Sequence, residues 1–277
     1  MKHTEGFFNG VRENQIYHQV WLPKKETKAV MLIVHGLAEH SGRYMNLVNY
    51  FVPKGFAVYG LDHLGHGKSD GTRILVDRFS DYTTTLKTFV NMVAEKEAGK
   101  PVFLVGHSMG GLIGAIYLLE DQVNFKGAVI SAPTIKIPED TSQITIALSK
   151  LLSKISPKAG LLALDANNVS SDPVVVDAYN NDPLVYRGKM TARLASELLI
   201  SMQHMTAEAY KINLPTIIVQ GGEDKLVDPS GAQDLYDLIS SEDKTLKIYA
   251  GYSHEVFNEP GYKLVMDDIH TWLTERI

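Results

Sequence analysis

The stretch Pro101–Gly111, PVFLVGHSMGG, decides how this chain folds. Val102, Phe103, Leu104 and Val105 form a short, continuous run of β-branched and large apolar residues, the pattern of a buried strand with Pro101 at its edge. Beyond it Leu112, Ile113, Ala115, Ile116, Leu118 and Leu119 recur at helical spacing, so GHSMGG must turn a strand into a helix almost without a loop. Gly106 and Gly110 flank Ser108 at two residues on either side and remove the Cβ atoms that would collide where the two elements pass. The pattern is G-x-S-x-G, the nucleophile elbow. Its serine takes a strained backbone conformation, and its Oγ stands clear at the head of the helix, near unpaired N–H groups and the positive end of the helix dipole. A phosphate-binding loop fits less well, because no Gly-Lys-Ser/Thr ending follows and the glycines are not spaced for a dinucleotide turn.

Outward from this turn, apolar runs alternate with helical segments, which predicts a mostly parallel sheet covered on both faces. Strands are expected over Ile16–Leu22, Val30–His35, Ala57–Leu61, Val102–Val105, Ala128–Ser131, Thr216–Gln220 and Thr245–Tyr249. Helices are expected over Arg43–Val52, Asp81–Glu97, Leu112–Glu120, Gln233–Ile239 and Tyr262–Thr274. One interval breaks the alternation. From 133 to 210 the sequence holds no convincing buried strand, only helical patterns at Ile144–Ile155 and Met190–His204, with turns at Ser156-Pro157, Asp172-Pro173 and Asp182-Pro183. It reads as a helical cap (133–210) inserted between two parts of one core, 1–132 and 211–277.

The remaining composition narrows the class. The 277 residues are 44% hydrophobic and 21% charged, an ordinary globular balance. A formal net charge of -5 argues against a nucleic-acid partner. The absence of cysteine excludes disulfides and thiolate-bound metals. The opening MKHTEGFFNG lacks the apolar stretch of a signal peptide and no window approaches a membrane span, so the expected location is cytoplasmic, with peripheral membrane contact left open.

A serine hydroxyl is a weak nucleophile and needs a base and a group to orient that base. In a sheet of this kind the chain order is Ser, Asp or Glu, then His, on loops after later strands. GGEDKLVDP follows the strand at 216–220 and AGYSHEVFNEP follows the strand at 245–249, which makes Asp224 the candidate acid and His254 the candidate base. Asp228, beside Pro229 and just before a helix, is explained as an N-cap. Glu223 would have to fold its longer side chain back. His35 and His107 read as loop supports, and His63 and His66 lie at no recognised metal-ligand spacing with a third ligand. The oxyanion donors are expected to be the backbone amides of Met109, after the nucleophile, and Leu37, in the loop after the strand at 30–35. No metal or cofactor is implied.

HGLAEHSGRY (35–44), DHLGHGKSDG (62–71), GHSMGG (106–111), YNNDPLVYRGK (179–189) and DKTLKIYAGYSHEVFNE (243–259) together resemble the monoacylglycerol lipases, serine hydrolases of the α/β-hydrolase fold. The resemblance implies an eight-stranded sheet, a helical cap that touches membranes or micelles, and cleavage of monoacylglycerol to fatty acid and glycerol. It matches Ser108, Asp224 and His254 to the family's triad and the Leu37 and Met109 amides to its oxyanion hole. It also matches Glu39, Arg43 and Tyr179 to polar residues around the glycerol headgroup, although Glu39 and Arg43 can equally pin their loop as a salt bridge. Animal members carry a further histidine three residues after the catalytic one, where this chain has Phe257.

The cap suits an acyl chain. Ile144, Ile146, Leu148, Leu151, Leu152, Ile155, Leu161, Leu162 and Leu164 are unusually apolar for an insertion, and Lys150, Lys154 and Lys158 accompany them as partners for lipid headgroups. Met202 and Met205 are candidates for a yielding acyl tunnel. A lysophospholipase or broad carboxylesterase would use the same triad. An aminopeptidase would need the cap acids Asp165, Asp172, Asp177 and Asp182 to gather around a substrate amine, and a noncatalytic lipid-binding module would have lost a triad member or an elbow glycine.

Overall fold

In the computed structural model, which describes residues 1–136 and 150–277, the C-terminal ends of five neighbouring parallel strands line one rim, and the loops that follow them carry every candidate catalytic residue. The strands are β1 (Lys2–Asn9), β2 (Gln15–Leu22), β3 (Ala29–Val34), β4 (Phe56–Leu61), β5 (Val102–His107), β6 (Gly127–Ser131), β7 (Gly160–Ala163), β8 (Lys189–Thr191), β9 (Thr216–Gly221) and β10 (Lys244–Tyr249). Eight of them form a single sheet in the order β1-β2-β4-β3-β5-β6-β9-β10. Only β2 runs against its neighbours; β4, β3, β5, β6, β9 and β10 are mutually parallel. In such a sheet, ligands bind beyond the carboxyl ends of the strands.

The helices are α1 (Met45–Phe51), α2 (Ser80–Lys96), α3 (Met109–Glu120), α4 (Pro173–Asn181), α5 (Ala192–Glu208), α6 (Ser230–Leu238) and α7 (Tyr262–Thr274). The central strand β3, AVMLIV, is buried on both faces, as a near-continuous apolar run demands. Ala29, Met31 and Ile33 meet Leu47, Val48 and Phe51 of α1 and Val265, Met266 and Ile269 of α7. Val30, Leu32 and Val34 join the opposite core, with Leu86 and Phe89 of α2, Leu112 and Ile113 of α3, Leu198 of α5 and Leu235 of α6. This period-two division holds the sheet rigid between two helical layers.

Between the two core segments, residues 150–155 are helical, and α4 and α5 follow. Ile144, Ile146 and Leu148 lie outside the described residues. Two short strands, β7 and β8, pair antiparallel in this interval, an addition to the all-helical expectation; at four and three residues, with β7 largely exposed, they are too short to show a strand period in the sequence. The Asp172-Pro173 turn proves to be a helix start, with the Asp172 carboxylate accepting from Val174 N at 2.9 Å and proline at the first helical position. β1, an edge strand reading KHTEGFFN, has no fully buried side chain, so no apolar alternation in the sequence marks it.

Candidate active site

Ser108 ends β5 and opens α3 with φ 54° and ψ -122°, a backbone conformation that L-residues seldom adopt and that only a tightly built turn maintains. The flanking glycines show what builds it. A Cβ on Gly106 would lie 2.7 Å from Gly110 O, and one on Gly110 would lie 2.0 Å from Val34 O and 2.4 Å from His35 O. The helix therefore runs against the end of β3 with no room for a methyl group. The Ser108 amide donates to Ser131 O at 2.9 Å, and its side chain makes no capping bond to α3, which leaves the first amides of that helix unclaimed by it. Its Oγ lies 3.2 Å from Thr134 Oγ1.

The acid and base come from loops after the last two strands. His254 Nδ1 donates to Asp224 Oδ2 at 2.7 Å, and both residues are buried. Asp224 is over-determined: Oδ1 accepts from the amides of Leu226 (2.8 Å) and Val227 (3.1 Å), and Oδ2 also accepts from Gln220 Nε2 at 2.9 Å. Burial acts to raise this carboxyl, but the His254 bond and charge and the two amides outweigh it and hold the group below its ordinary range. With Nδ1–H committed to the carboxylate, Nε2 is the free basic nitrogen. Asp228 instead accepts from Ser230 N, the first residue of α6, at 2.9 Å, one position before the N-cap Pro229, and Glu223 is exposed. Among the described residues no hydrogen bond joins Ser108 Oγ to His254; the hydroxyl rests on Thr134, an arrangement common before substrate tightens the site.

The loop after β3 lies against the elbow. A Cβ on Gly36 would stand 3.2 Å from Ser108 Cβ and 3.0 Å from Glu39 Oε1. Glu39 folds back over this loop, its Oε1 accepting from Gly36 N at 2.7 Å and from Tyr44 OH at 2.8 Å. Among the described residues the Leu37 amide has no acceptor. Arg43 reaches Glu39 Oε2 at 3.3 Å and lays its guanidinium on the Tyr179 ring, 4.6 Å from the centroid. The main partner of Arg43 lies far away in sequence. Glu255, immediately after His254, grips the guanidinium with both oxygens, one of them 2.8 Å from Nη2. Glu39 and Arg43 thus pin the loop, and with Tyr179, whose buried hydroxyl has no partner among the described residues, they form one cluster. Phe257 is buried between Tyr44 and His107, with ring centroids 6.4 and 6.2 Å away.

Three further histidines surround these loops. His35 Nε2 accepts from the His63 amide at 2.9 Å, so its proton sits on Nδ1 and is donated to Gly36 O at 2.8 Å. His63 Nε2 in turn donates to His35 O at 3.1 Å and His66 Nδ1 to Leu64 O at 3.1 Å. These contacts brace the loop ends. Two of the acids between the core segments are also engaged: Asp165 accepts from Asn167 N at 3.0 Å, and Asp182 accepts from His40 Nε2 at 2.9 Å and Leu184 N at 2.8 Å.

A serine on a strained strand-to-helix turn, beside a carboxylate-held histidine at the carboxyl rim of this sheet, defines a serine hydrolase of the α/β-hydrolase fold. Residues 25–261 match the Hydrolase_4 family, described as serine aminopeptidase, S33, and the chain belongs to that family. It is 37% identical to the monoacylglycerol lipase of Mycolicibacterium smegmatis over 99% of this chain and 98% of the relative. It is 33% identical to human monoglyceride lipase, covering 94% of this chain and 87% of that protein. The crystal structure of Paleococcus ferrophilus monoacylglycerol lipase superposes with a TM-score of 0.85 at 30% identity, over 95% of this chain and 99% of that one.

Proposed function

We propose that this chain hydrolyses monoacylglycerols to fatty acid and glycerol through an acyl-enzyme on Ser108. The reading is carried by the buried His254–Asp224 pair at 2.7 Å beside the elbow serine, and the lipase relatives named above supply the substrate. Ser108 Oγ leaves Thr134, His254 Nε2 takes its proton as the oxygen attacks the ester carbonyl, and the Leu37 and Met109 amides receive the oxyanion. The proton passes from His254 to the departing glycerol oxygen, and water then repeats the sequence on the acyl-enzyme. Glu39, Arg43 and Tyr179 form the headgroup end of the site. The segment 133–210 acts as a cap: Leu151, Ile155, Leu162 and Val174 are exposed, with lysines at 150, 154 and 158, which suits transient contact with a lipid surface. No helix among the described residues is long and apolar enough to cross a membrane.

The test holds the acyl chain fixed and compares monoacylglycerol, the matching lysophospholipid and the matching methyl ester, below and above the concentration at which each aggregates. Monoacylglycerol turnover is expected to lead and to rise at the lipid surface. Ser108→Ala is expected to lose roughly 10⁴-fold or more in kcat on all three. Equal rates on the three headgroups would replace this reading with a broad carboxylesterase, which the apolar Phe257 would then explain.

A further inference from the structure

The buried ions between the β3 loop and the β10 loop form a continuous chain. Its first link is Glu255, the residue after His254, whose amide is fixed by Val169 O at 2.8 Å and whose Oε2 also accepts from Asn258 Nδ2 at 2.9 Å. The second is the two-pronged grip on Arg43. The third is the 3.3 Å contact from Arg43 to Glu39, and the last is the 2.7 Å bond from the Gly36 amide to Glu39. Glu39 and Glu255 are 4% and 5% exposed, and the Arg43 side chain 8%, so water does not screen these interactions. Removing one member of such a set strands the others without compensation.

We infer that Glu255 is a positioning residue: through Arg43 and Glu39 it fixes the Gly36 amide, one residue before Leu37, and so holds the loop that carries the oxyanion donor in register with the base carried by its own neighbour. Charge distribution fits this order. Arg43 holds the Glu255 carboxyl low against the opposing pull of burial, whereas Glu39 is pushed up by burial and only partly offset by Arg43. Glu255 is therefore the principal anion for Arg43, and Glu39, with Tyr44 and Gly36 as donors, is the part that reaches the loop. The headgroup reading assigns Arg43 and Glu39 to glycerol; the present inference rests on the same serine chemistry but makes their first task the geometry of the oxyanion, whatever the headgroup.

The deciding experiment uses a short soluble ester, which has no glycerol to lose. Glu255→Gln keeps the shape and removes the charge. It is expected to lower kcat roughly tenfold or more, a fraction of what removing an oxyanion donor outright costs, with KM nearly unchanged. The rate at which a small fluorophosphonate labels Ser108 should fall in parallel, since its adduct places an oxygen where the oxyanion forms. The triple variant Glu39→Gln, Arg43→Met and Glu255→Gln removes all three buried charges, so that none is stranded, and guards against a folding failure of the single variant; it too should fold and stay slow. Wild-type kcat and labelling rate in either variant, with only a lowered melting temperature, would overturn the inference. So would a defect confined to KM for monoacylglycerol. A wild-type protein that turns over the soluble ester but not monoacylglycerol would remove the substrate reading and leave this test intact.

Discussion

β5 ends on a buried histidine, the loop after β10 carries another, and the two rings lie 4.7 Å apart centroid to centroid. His254 donates Nδ1–H to a carboxylate, whereas the ring nitrogen of His107 has a hydroxyl, Ser131 Oγ at 3.2 Å, as its partner. Burial, helped by the His254 ring beside it, pushes the His107 imidazole down to about 3, so at neutral pH it is an uncharged packing group. What separates the two is the company of Asp224, and burial is common to both. The same residue type at the same depth becomes a candidate base only where a carboxylate stabilises the imidazolium it must form.

Asp224→Asn breaks the comparison most severely. The amides of Leu226 and Val227 both donate to Asp224 Oδ1, so an asparagine must keep its carbonyl oxygen there and turn its NH₂ toward His254. The Gln220 amide can rotate to accept, its own Oε1 being buried without a partner. Nδ1 then becomes the acceptor, the proton moves to Nε2, and no lone pair faces the serine. A loss of about 10⁴ in kcat with little change in stability is expected, the penalty for the wrong tautomer. A loss below tenfold would mean that His254 is not the base.

How much of this was legible depends on how far apart the partners lie. The elbow was readable because its causes are local: Gly110 faces the Val34 and His35 carbonyls, and the turn needs glycine wherever a strand meets a helix this closely. Asp224 could be told from Asp228 because a Pro beside the latter marks a helix start. Glu255 could not be read. Its partner Arg43 lies 212 residues earlier, and they meet only because β3 and β10 end on one rim. Residue type gave no hint either, since a glutamate in a loop is ordinarily solvated. The valines at 174–176 hid α4 in a similar way, because β-branched residues in a row favour a strand until Asp172 and Pro173 are seen as a cap.

A second, intermediate effect concerns stability in acid. His63 and His66 share the situation of His107: burial outweighs all else and brings them to about 3 and about 4. Each stays neutral in the folded chain while the unfolded chain takes up a proton near pH 6.5, so the unfolded state binds more protons across this window. Stability is full above pH 6.5 and falls as pH drops toward 4. Each histidine contributes about 1.4 kcal/mol per pH unit in that interval, and together they cost on the order of 5 kcal/mol by pH 4.5. Asp224 adds to the loss only at lower pH, as its depressed carboxyl is protonated. Urea unfolding at steps from pH 7.5 to 4.5 measures the slope, which His63→Asn should flatten; a flat profile in the wild type would mean that these rings titrate normally.

The smallest expected effect is the sharpest test of the difference between the two rings. His107→Gln removes the face on which His254 rests and the contact to Ser131, but takes away no proton carrier. Asp224 still holds Nδ1, so the imidazole keeps its tautomer and loses only part of its lateral support. The expected outcome is a fall in kcat of less than about tenfold, with the pH dependence of kcat/KM unmoved, because a displaced base is slower without being a different base. A loss approaching that of Asp224→Asn, or a shifted acidic limb, would make His107 a participant in proton transfer. The two histidines would then have to be treated as one coupled pair whose titrations belong to neither ring alone.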